Sequence, residues 1–208
     1  MLGSSLVLTL FAIIGTTLVA VTYDTTREQI IENERMALLR SLQALVPATR
    51  YDNDPLADTL SIAAPEQLGT AETVTVYRAR NADTPVAVIF TAVAPNGYAG
   101  PIRILIAVNF DGALAGIRII SHKETPGLGD QIEVERSDWV HSFIGRSLGN
   151  PPMMQWKVKK DGGVFDQFTG ATITPRIVVD AVRKALIYFN AHRDELFAPV
   201  KPQEAKHG

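Results

Sequence analysis

The stretch GYAGPIRILIAVNFDGALAGIRIISH (residues 97–122) carries the clearest local structure in the sequence. It holds two apolar runs, Ile102–Phe110 and Ala113–Ile120, on either side of Asp111-Gly112. An Asp-Gly pair supplies the positive φ angles that a tight turn between antiparallel strands requires. The stretch therefore predicts a β-hairpin.

Further strands are predicted on both sides of this hairpin. TVTVYRA (residues 73–79) alternates as in a half-buried strand, and VAVIFTAV (residues 86–93) is apolar enough for a more buried one. Downstream, WKVKK (residues 156–160) is a candidate for a short edge strand protected by its lysines.

Two helices are predicted after the hairpin. A short one lies near Ser137–Ile144, with Ser137 or Asp138 as its cap, and a longer one runs from near Pro175 to His192. The longer helix has an apolar face formed by Val178, Val179, Val182 and Leu186. Strands followed by a terminal helix, without regular β-α alternation, are typical of an α+β domain. The expected fold class is α+β, with antiparallel strands and flanking helices.

The start of the longer helix carries three threonines within DQFTGATITP (residues 166–175). With Pro175 at the first helical position, Thr174 is the natural N-cap, and its hydroxyl is accounted for. Thr172 follows a Gly-Ala pair, so its hydroxyl is sterically open. A phosphate ester there would meet the positive end of the helix dipole and unpaired backbone N–H groups. The position favours a bound phosphate but does not show whether one is attached covalently.

The N-terminal segment is apolar enough to cross a membrane. No charged side chain precedes Asp24, and Leu6–Val21 is nearly all apolar or small. As a helix, the segment from Leu2 to Tyr23 would rise roughly 33 Å, enough to span a bilayer core. A cleaved signal peptide is the alternative, but the segment lacks a basic start, and Leu18 occupies a critical small-residue position of the cleavage site. A retained single-pass anchor is favoured.

The chain divides into a transmembrane anchor, a juxtamembrane helix, an α+β domain and a flexible tail, covering residues 1–23, 24–47, 48–196 and 197–208. Thr25-x-x-Glu28 and Thr26-x-x-Gln29 both fit a capping box at the start of the second part, and Pro47 ends it. The nearest arginines, Arg27, Arg35 and Arg40, all follow the anchor. Taken alone, they would place the domain in the cytoplasm.

Composition excludes several kinds of chemistry. The sequence has no cysteine, which removes disulfides, thiolate zinc sites, cysteine nucleophiles and cysteine-ligated iron–sulfur clusters. Redox chemistry would need an organic cofactor or a site without thiols. A net charge of -2 gives no electrostatic case for nucleic acid.

The loop ETPGLG (residues 124–129) has two interpretations. Its Pro-Gly pair suits a plain surface turn, which is the simpler interpretation. Alternatively, its exposed amides and the Thr125 hydroxyl contact a planar or phosphorylated ligand. The neighbouring His122 has no other histidine at metal-ligand spacing, so a hydrogen-bonded structural role is expected.

Two motifs together resemble the FMN-binding domain family. DQFTGATIT (residues 166–174) matches the Asp-x-x-(Ser/Thr)-Gly-Ala-Thr motif at which a flavin transferase esterifies FMN to the final threonine, and HKETPGLG (residues 122–129) matches the second signature. The sequence most resembles the G subunit of Rnf-type (Rsx) ion-translocating electron-transport complexes. The sister family, the C subunit of the sodium-pumping NADH:quinone oxidoreductase, shares both motifs and is the alternative.

The resemblance implies a role for each matching residue. Thr172 would carry FMN as a phosphoester, and the transferase would read Asp166, Thr169, Gly170 and Ala171. Glu124, Thr125, Gly127 and Leu128 would line the part of the pocket that faces the isoalloxazine ring or the ribityl chain of FMN. No catalytic residue and no metal is implied.

The resemblance also implies a function and a location. The chain would carry electrons in a complex that couples transfer on the ferredoxin/NAD side to ion translocation, with no substrate turnover of its own. It would lie in the bacterial inner membrane beside the other membrane subunits, with its domain in the periplasm, which contradicts the arginine pattern. A tethered ligand-binding or assembly subunit without a redox role is the alternative of another class.

Overall fold

A computed structural model describes residues 2–198 of the chain, and the chain forms two compact units divided after Ser41. The first unit consists of most of helix α1 (Leu2–Leu45). Large apolar side chains are exposed along this helix between Leu6 and Val21. Within the described residues, α1 is the one helix long and apolar enough to cross a membrane.

Helix α1 continues through the predicted capping boxes. The hydroxyl of Thr25 donates to the carbonyl of Val21 at 2.9 Å, and that of Thr26 donates to the carbonyl of Thr22 at 2.7 Å. Threonines inside a helix bond to the preceding turn in this way. The prediction that a helix starts here is therefore wrong, because neither proline nor glycine occurs between Gly15 and Pro47 to interrupt the helix.

The second unit, from Leu42 onward, is built on a five-stranded antiparallel sheet. Each strand pairs only with its neighbours along the chain, in the order β1-β2-β3-β4-β5. The bounds of the strands are Thr59–Ile62, Val74–Asn81, Thr84–Ala94, Ile102–Asn109 and Leu114–Ser121. The strands predicted at residues 73–79 and 86–93 are confirmed as β2 and β3, and the α+β fold class is confirmed.

The predicted hairpin is confirmed as β4 and β5, although its turn is not a simple two-residue turn. Gly112 has a φ of 90°, whereas Asp111 lies outside the positive region. The N–H of Gly112 donates to the carbonyl of Asn109 at 2.9 Å. The tight turn with two positive φ angles joins β2 to β3 instead, at Ala82 (46°) and Asp83 (64°). Neither residue is a glycine, so the usual signal for such a turn is missing there.

Helix α3 (Ile173–Phe197) packs on one face of the sheet, against β3 and β4, and the short α2 (Pro65–Leu68) lies beside it. The predicted apolar face of α3 is confirmed as part of the core, at Val178, Val179, Val182 and Leu186. His192, the predicted end, has non-helical backbone angles, and the helix continues beyond it. Phe197 is buried, so the packed domain includes the first residue of the predicted tail. Residues 199–208 of that tail lie outside the described residues.

The last turn of α1 belongs to the second unit and covers the other face of the sheet. Leu42 and Val46 are buried. A Cβ added to Gly116 of β5 would come within 3.1 Å of the Leu45 side chain. Both faces of the sheet are therefore covered, which explains why β4 is buried along most of its length.

Short 3-10 turns connect β5 to α3. Their bounds are Gly129–Ile132, Asp138–Phe143, Met153–Gln155 and Lys159–Asp161. The predicted short helix is confirmed as the second of these turns. Ser137 is its cap, since its hydroxyl accepts a hydrogen bond from the N–H of Trp139 at 3.1 Å.

The WKVKK segment (residues 156–160) is not a strand. Val158 forms only an isolated bridge with Phe165, after which the chain turns and closes at Gly162 with a φ of 82°. Trp156 and Phe165 are buried with their ring centroids 5.2 Å apart. The prediction of an edge strand is wrong, because Trp156 and Val158 are buried and the chain turns directly after them.

Candidate functional site

Thr174 does not cap α3. The helix begins at Ile173, and the residue at its N-cap, Thr172, makes no capping hydrogen bond with its side chain. Thr174 is 1% exposed, and its hydroxyl donates to Oε2 of Glu124. The prediction of a Thr174 cap is therefore wrong, because a distant buried carboxylate takes its hydroxyl.

The carboxylate of Glu124 is the most enclosed acidic group beside the start of α3. The residue is 4% exposed, and its Oε1 accepts a hydrogen bond from the N–H of Ala99 at 3.1 Å. Two glycines leave room for it. A Cβ on Gly129 would lie 2.8 Å from Oε2, and a Cβ on Gly97 would lie 2.9 Å from Oε1. Both contacts are too close for any side chain larger than hydrogen.

His122 is hydrogen-bonded at both ring nitrogens, in agreement with its expected structural role. Its Nδ1 accepts from the N–H of Glu124 at 2.9 Å. The ring proton therefore lies on Nε2, which is 2.7 Å from Oε1 of Glu133. The imidazole orients the backbone at the start of the loop.

A cavity of about 290 Å³ lies beside the Glu124 carboxylate. Its walls come from the loop before β4, the loop after β5 and the start of α3. The residues that line it are Tyr98, Glu124, Thr125, Leu128, Gly129, Gly170, Ala171, Thr172, Ile173 and Thr174. Apolar walls with a few convergent polar groups are typical of a cofactor site.

The cavity brings together most of the residues singled out by sequence. Gly170, Ala171 and Thr172 line it together with Glu124, Thr125 and Leu128. Gly170 has a φ of 83°, and a Cβ there would lie 3.3 Å from the Leu128 side chain.

Gly127, Asp166 and Thr169 do not line the cavity. Gly127 has a φ of 77° and shapes the turn of the loop. Asp166 and Thr169 are exposed, and Oδ1 of Asp166 accepts from Lys159 Nζ at 2.6 Å. The backbone carbonyl of Asp166 accepts from the indole N–H of Trp139 at 2.8 Å, which ties the segment to the core.

Sequence reasoning missed Tyr98, Gly129, Ile173 and Thr174 as lining residues. Tyr98 is 69% exposed and lies between Gly97 and Gly100, and no role was predicted for it. Tyr98, Leu128 and Ile173 give the cavity an exposed apolar rim.

The arrangement around Thr172 fits a phosphate group. The first N–H groups of a helix have no partner within it, and the Thr172 side chain leaves them uncapped. The nearby cation Arg176 is paired with Asp161 at 2.6 Å. This hydrogen bond to Arg176 lowers the pKa of the Asp161 carboxyl. A phosphate here would be held chiefly by backbone N–H groups and the helix dipole.

Comparisons with known proteins define the class of this site. A sequence model of the FMN-binding domain matches residues 97–187, which include every residue that lines the cavity. A second model, of the RnfG N-terminal region, matches residues 1–45. The second unit thus contains an FMN-binding domain.

Related proteins extend this similarity over nearly the whole chain. A protein of Pseudomonas aeruginosa (strain UCBPP-PA14), named as the G subunit of an ion-translocating oxidoreductase complex, is 50% identical, over 96% of this chain and 93% of its own. Proteins with the same name from Shewanella oneidensis (44% identical, covering 100% and 98%) and Vibrio cholerae strain M66-2 (43% identical, covering 98% and 97%) are similar too. This chain belongs to the family of G subunits of Rnf-type ion-translocating oxidoreductase complexes. The C-subunit alternative is not favoured.

Among solved structures, NqrC of Shewanella oneidensis aligns with a TM-score of 0.44 and 20% identity. The alignment covers 70% of this chain and 74% of that one.

Proposed function

We propose that this chain is the membrane-anchored electron-carrier subunit of an Rnf-type complex, with FMN bonded through its phosphate to Thr172. The observation that carries the proposal is the 50% identity over 96% of the chain to the Pseudomonas aeruginosa G subunit. The FMN-binding match supports it, because the matched residues contain both Thr172 and the cavity beside it.

Thr172 suits the attachment for three reasons. Its hydroxyl makes no capping hydrogen bond, it lines the cavity, and it lies at the positive end of α3. The ester would join its hydroxyl oxygen to the phosphate, with net loss of one water. Asp166 and Thr169 are exposed, as residues read by a flavin transferase need to be, and Gly170 and Ala171 complete that motif.

The walls of the cavity would hold the rest of the cofactor. Leu128, Ala171 and Ile173 offer apolar contacts, while Thr125 and Glu124 offer polar atoms, and Gly127 shapes the loop. When bound, FMN supplies reversible electron transfer, and the protein supplies its position and polarity. The isolated subunit would turn over no substrate of its own.

The location follows from the family and from α1. The apolar run Leu6–Val21 would anchor the chain once in the bacterial inner membrane, beside the other membrane subunits of the complex. We place the FMN-binding domain in the periplasm, although Arg27, Arg35 and Arg40 favour the cytoplasm. Neighbouring subunits can hold a segment against a charge bias of this size.

Intact-mass measurement of protein from its native host tests the attachment. We expect the mass of the polypeptide plus one FMN less one water, and a denatured band that fluoresces under ultraviolet light. Thr172→Val keeps the shape of the side chain without its hydroxyl, so we expect an unmodified mass and no fluorescence. Thr75→Val, on the exposed side of β2, is the matched control and should keep the flavin.

A fluorescent Thr172→Val band would refute the assignment of Thr172. Native protein without any flavin would instead favour the ligand-binding or assembly role. A visible spectrum that survives denaturation and bleaches on reduction separates those roles from an electron carrier.

A further inference from the structure

The hydrogen bond between Thr174 and Glu124 joins two walls of the cavity. We propose that Thr174 is a positioning residue, whose hydroxyl fixes the Glu124 carboxylate and thereby holds the loop at Tyr98 and the start of α3 around the flavin site. The flavin part of this proposal rests on the proposed function, whereas the part about the polypeptide does not.

The Glu124 carboxylate connects three segments that are distant in sequence. One oxygen accepts from the N–H of Ala99 in the loop before β4, and the other accepts from the Thr174 hydroxyl in the first turn of α3. Glu124 itself belongs to the loop after β5. Loss of either donor would leave a buried carboxylate oxygen without a partner, which is costly.

The surroundings leave this carboxylate little freedom to move. The backbones of Gly97 and Gly129 pack beside it, since an added Cβ would lie 2.9 Å and 2.8 Å from its oxygens. A Cβ on Gly129 would also lie 3.0 Å from the Thr174 hydroxyl oxygen. The close packing selects one rotamer of Glu124, and the hydroxyl of Thr174 completes its hydrogen bonding.

Both ends of this connection reach the cavity. Thr172, the proposed attachment residue, precedes Thr174 by two positions at the start of the same helix. Tyr98, on the exposed rim, precedes Ala99 directly. Thr174 therefore fixes the position of the start of α3, which would carry the flavin, relative to the loop before β4. A local helix cap would not have this effect.

Hydrogen exchange at the Ala99 amide tests the connection in the full-length protein, with or without flavin. Thr174→Val removes the hydroxyl and keeps the volume, so we expect exchange about tenfold faster, the factor for one hydrogen bond of typical strength. Thr174→Ser restores the hydroxyl and should return exchange to the native rate. Thr174→Ala serves as a second hydroxyl-free variant, and Thr91→Val in β3 is the matched control.

The circular dichroism of the flavin bands gives a second readout. A flavin held in one orientation in a chiral site gives a defined visible signal. In Thr174→Val we expect that signal to be lost while the mass of attached FMN remains, and in Thr174→Ser we expect it to return.

The outcomes distinguish the two proposals. Unchanged Ala99 exchange in both hydroxyl-free variants would overturn the positioning role, as would a serine variant that behaves like valine. Native protein without flavin would overturn the attachment at Thr172, while the exchange rates would still decide the role of Thr174.

Discussion

The two ends of α3 differ in how their terminal backbone groups are satisfied. At the C-terminal end, the carbonyl of Ala198 accepts from Arg78 Nη1 at 2.6 Å, and that of Phe197 accepts from Arg80 Nη2 at 2.9 Å. Both arginines also pair with Asp58. At the N-terminal end, no side-chain capping bond is made, and a cavity adjoins the first turn.

The two ends of α3 are therefore expected to contribute differently, one to stability and the other to the proposed flavin site. At the C-terminal end, the largely buried Arg78 and Arg80 of β2 hold the carbonyls of Ala198 and Phe197. The N-terminal end leaves the Thr172 hydroxyl without a capping bond, at the positive end of the helix dipole. Because Pro175 has no N–H, the first turn of α3 offers the N–H groups of Ile173 and Thr174. Substitutions at each end should therefore have different consequences.

The largest effect is expected at the C-terminal end. Arg78 is 2% exposed, so Arg78→Met would leave Asp58 and the Ala198 carbonyl with fewer partners in the protein interior. We expect the free energy of unfolding to fall by about 3 kcal/mol. Urea unfolding of the full chain in detergent, followed by the fluorescence of the buried Trp139 and Trp156, measures it.

Arg103→Met is the control for this change. Its ion pair with Glu72 is solvent-exposed, so its loss should alter stability by no more than about 0.5 kcal/mol. Equal free energies of unfolding in the two variants would show that the interactions of Arg78 stabilise the domain no more than an exposed ion pair does.

A smaller effect is expected at the wall of the cavity. Gly129→Ala would force a methyl group against Glu124 and the Thr174 hydroxyl, and overpacking of this kind costs about 2 kcal/mol. We also expect faster exchange at the Ala99 amide, because the carboxylate must move. Gly149→Ala meets nothing within 4 Å and should change neither quantity.

The smallest effect is expected at the open N-cap. In flavin-free protein, Thr172→Ala should change the free energy of unfolding by less than about 0.5 kcal/mol, since no capping bond is lost. Ser137→Ala, which does lose a capping bond, should cost about 1 kcal/mol in the same assay. A Thr172 variant destabilised as much as the Ser137 variant would mean that the Thr172 side chain does cap the N-terminal end of α3.

The parts of the fold that local patterns determine could be predicted from the sequence. The β4–β5 hairpin follows from two apolar runs around an Asp-Gly pair, and the apolar face of α3 follows from a helical periodicity. The capping role of Ser137 could be predicted because a cap bonds to a nearby N–H, here that of Trp139, two residues away.

The misassigned residues depend on contacts that are remote in the chain. Thr174 matched a cap pattern, but its hydroxyl bonds to a carboxylate in a loop after β5. WKVKK alternates like a strand, although Val158 packs against the segment near Phe165. Tyr98 lacked any signal of its own, since its place on the rim depends on where the loop after β5 and α3 meet. These outcomes are properties of packing, which pattern alone does not specify.

The nearest-neighbour order of the strands has a consequence for biosynthesis. Because β1 to β5 pair in the order in which they leave the ribosome, the sheet can assemble progressively during translation. The third wall of the cavity arrives only with α3, after all five strands have been synthesised. A nascent chain can therefore form the sheet before it forms the cavity, and a flavin can enter the complete cavity only once α3 has been added.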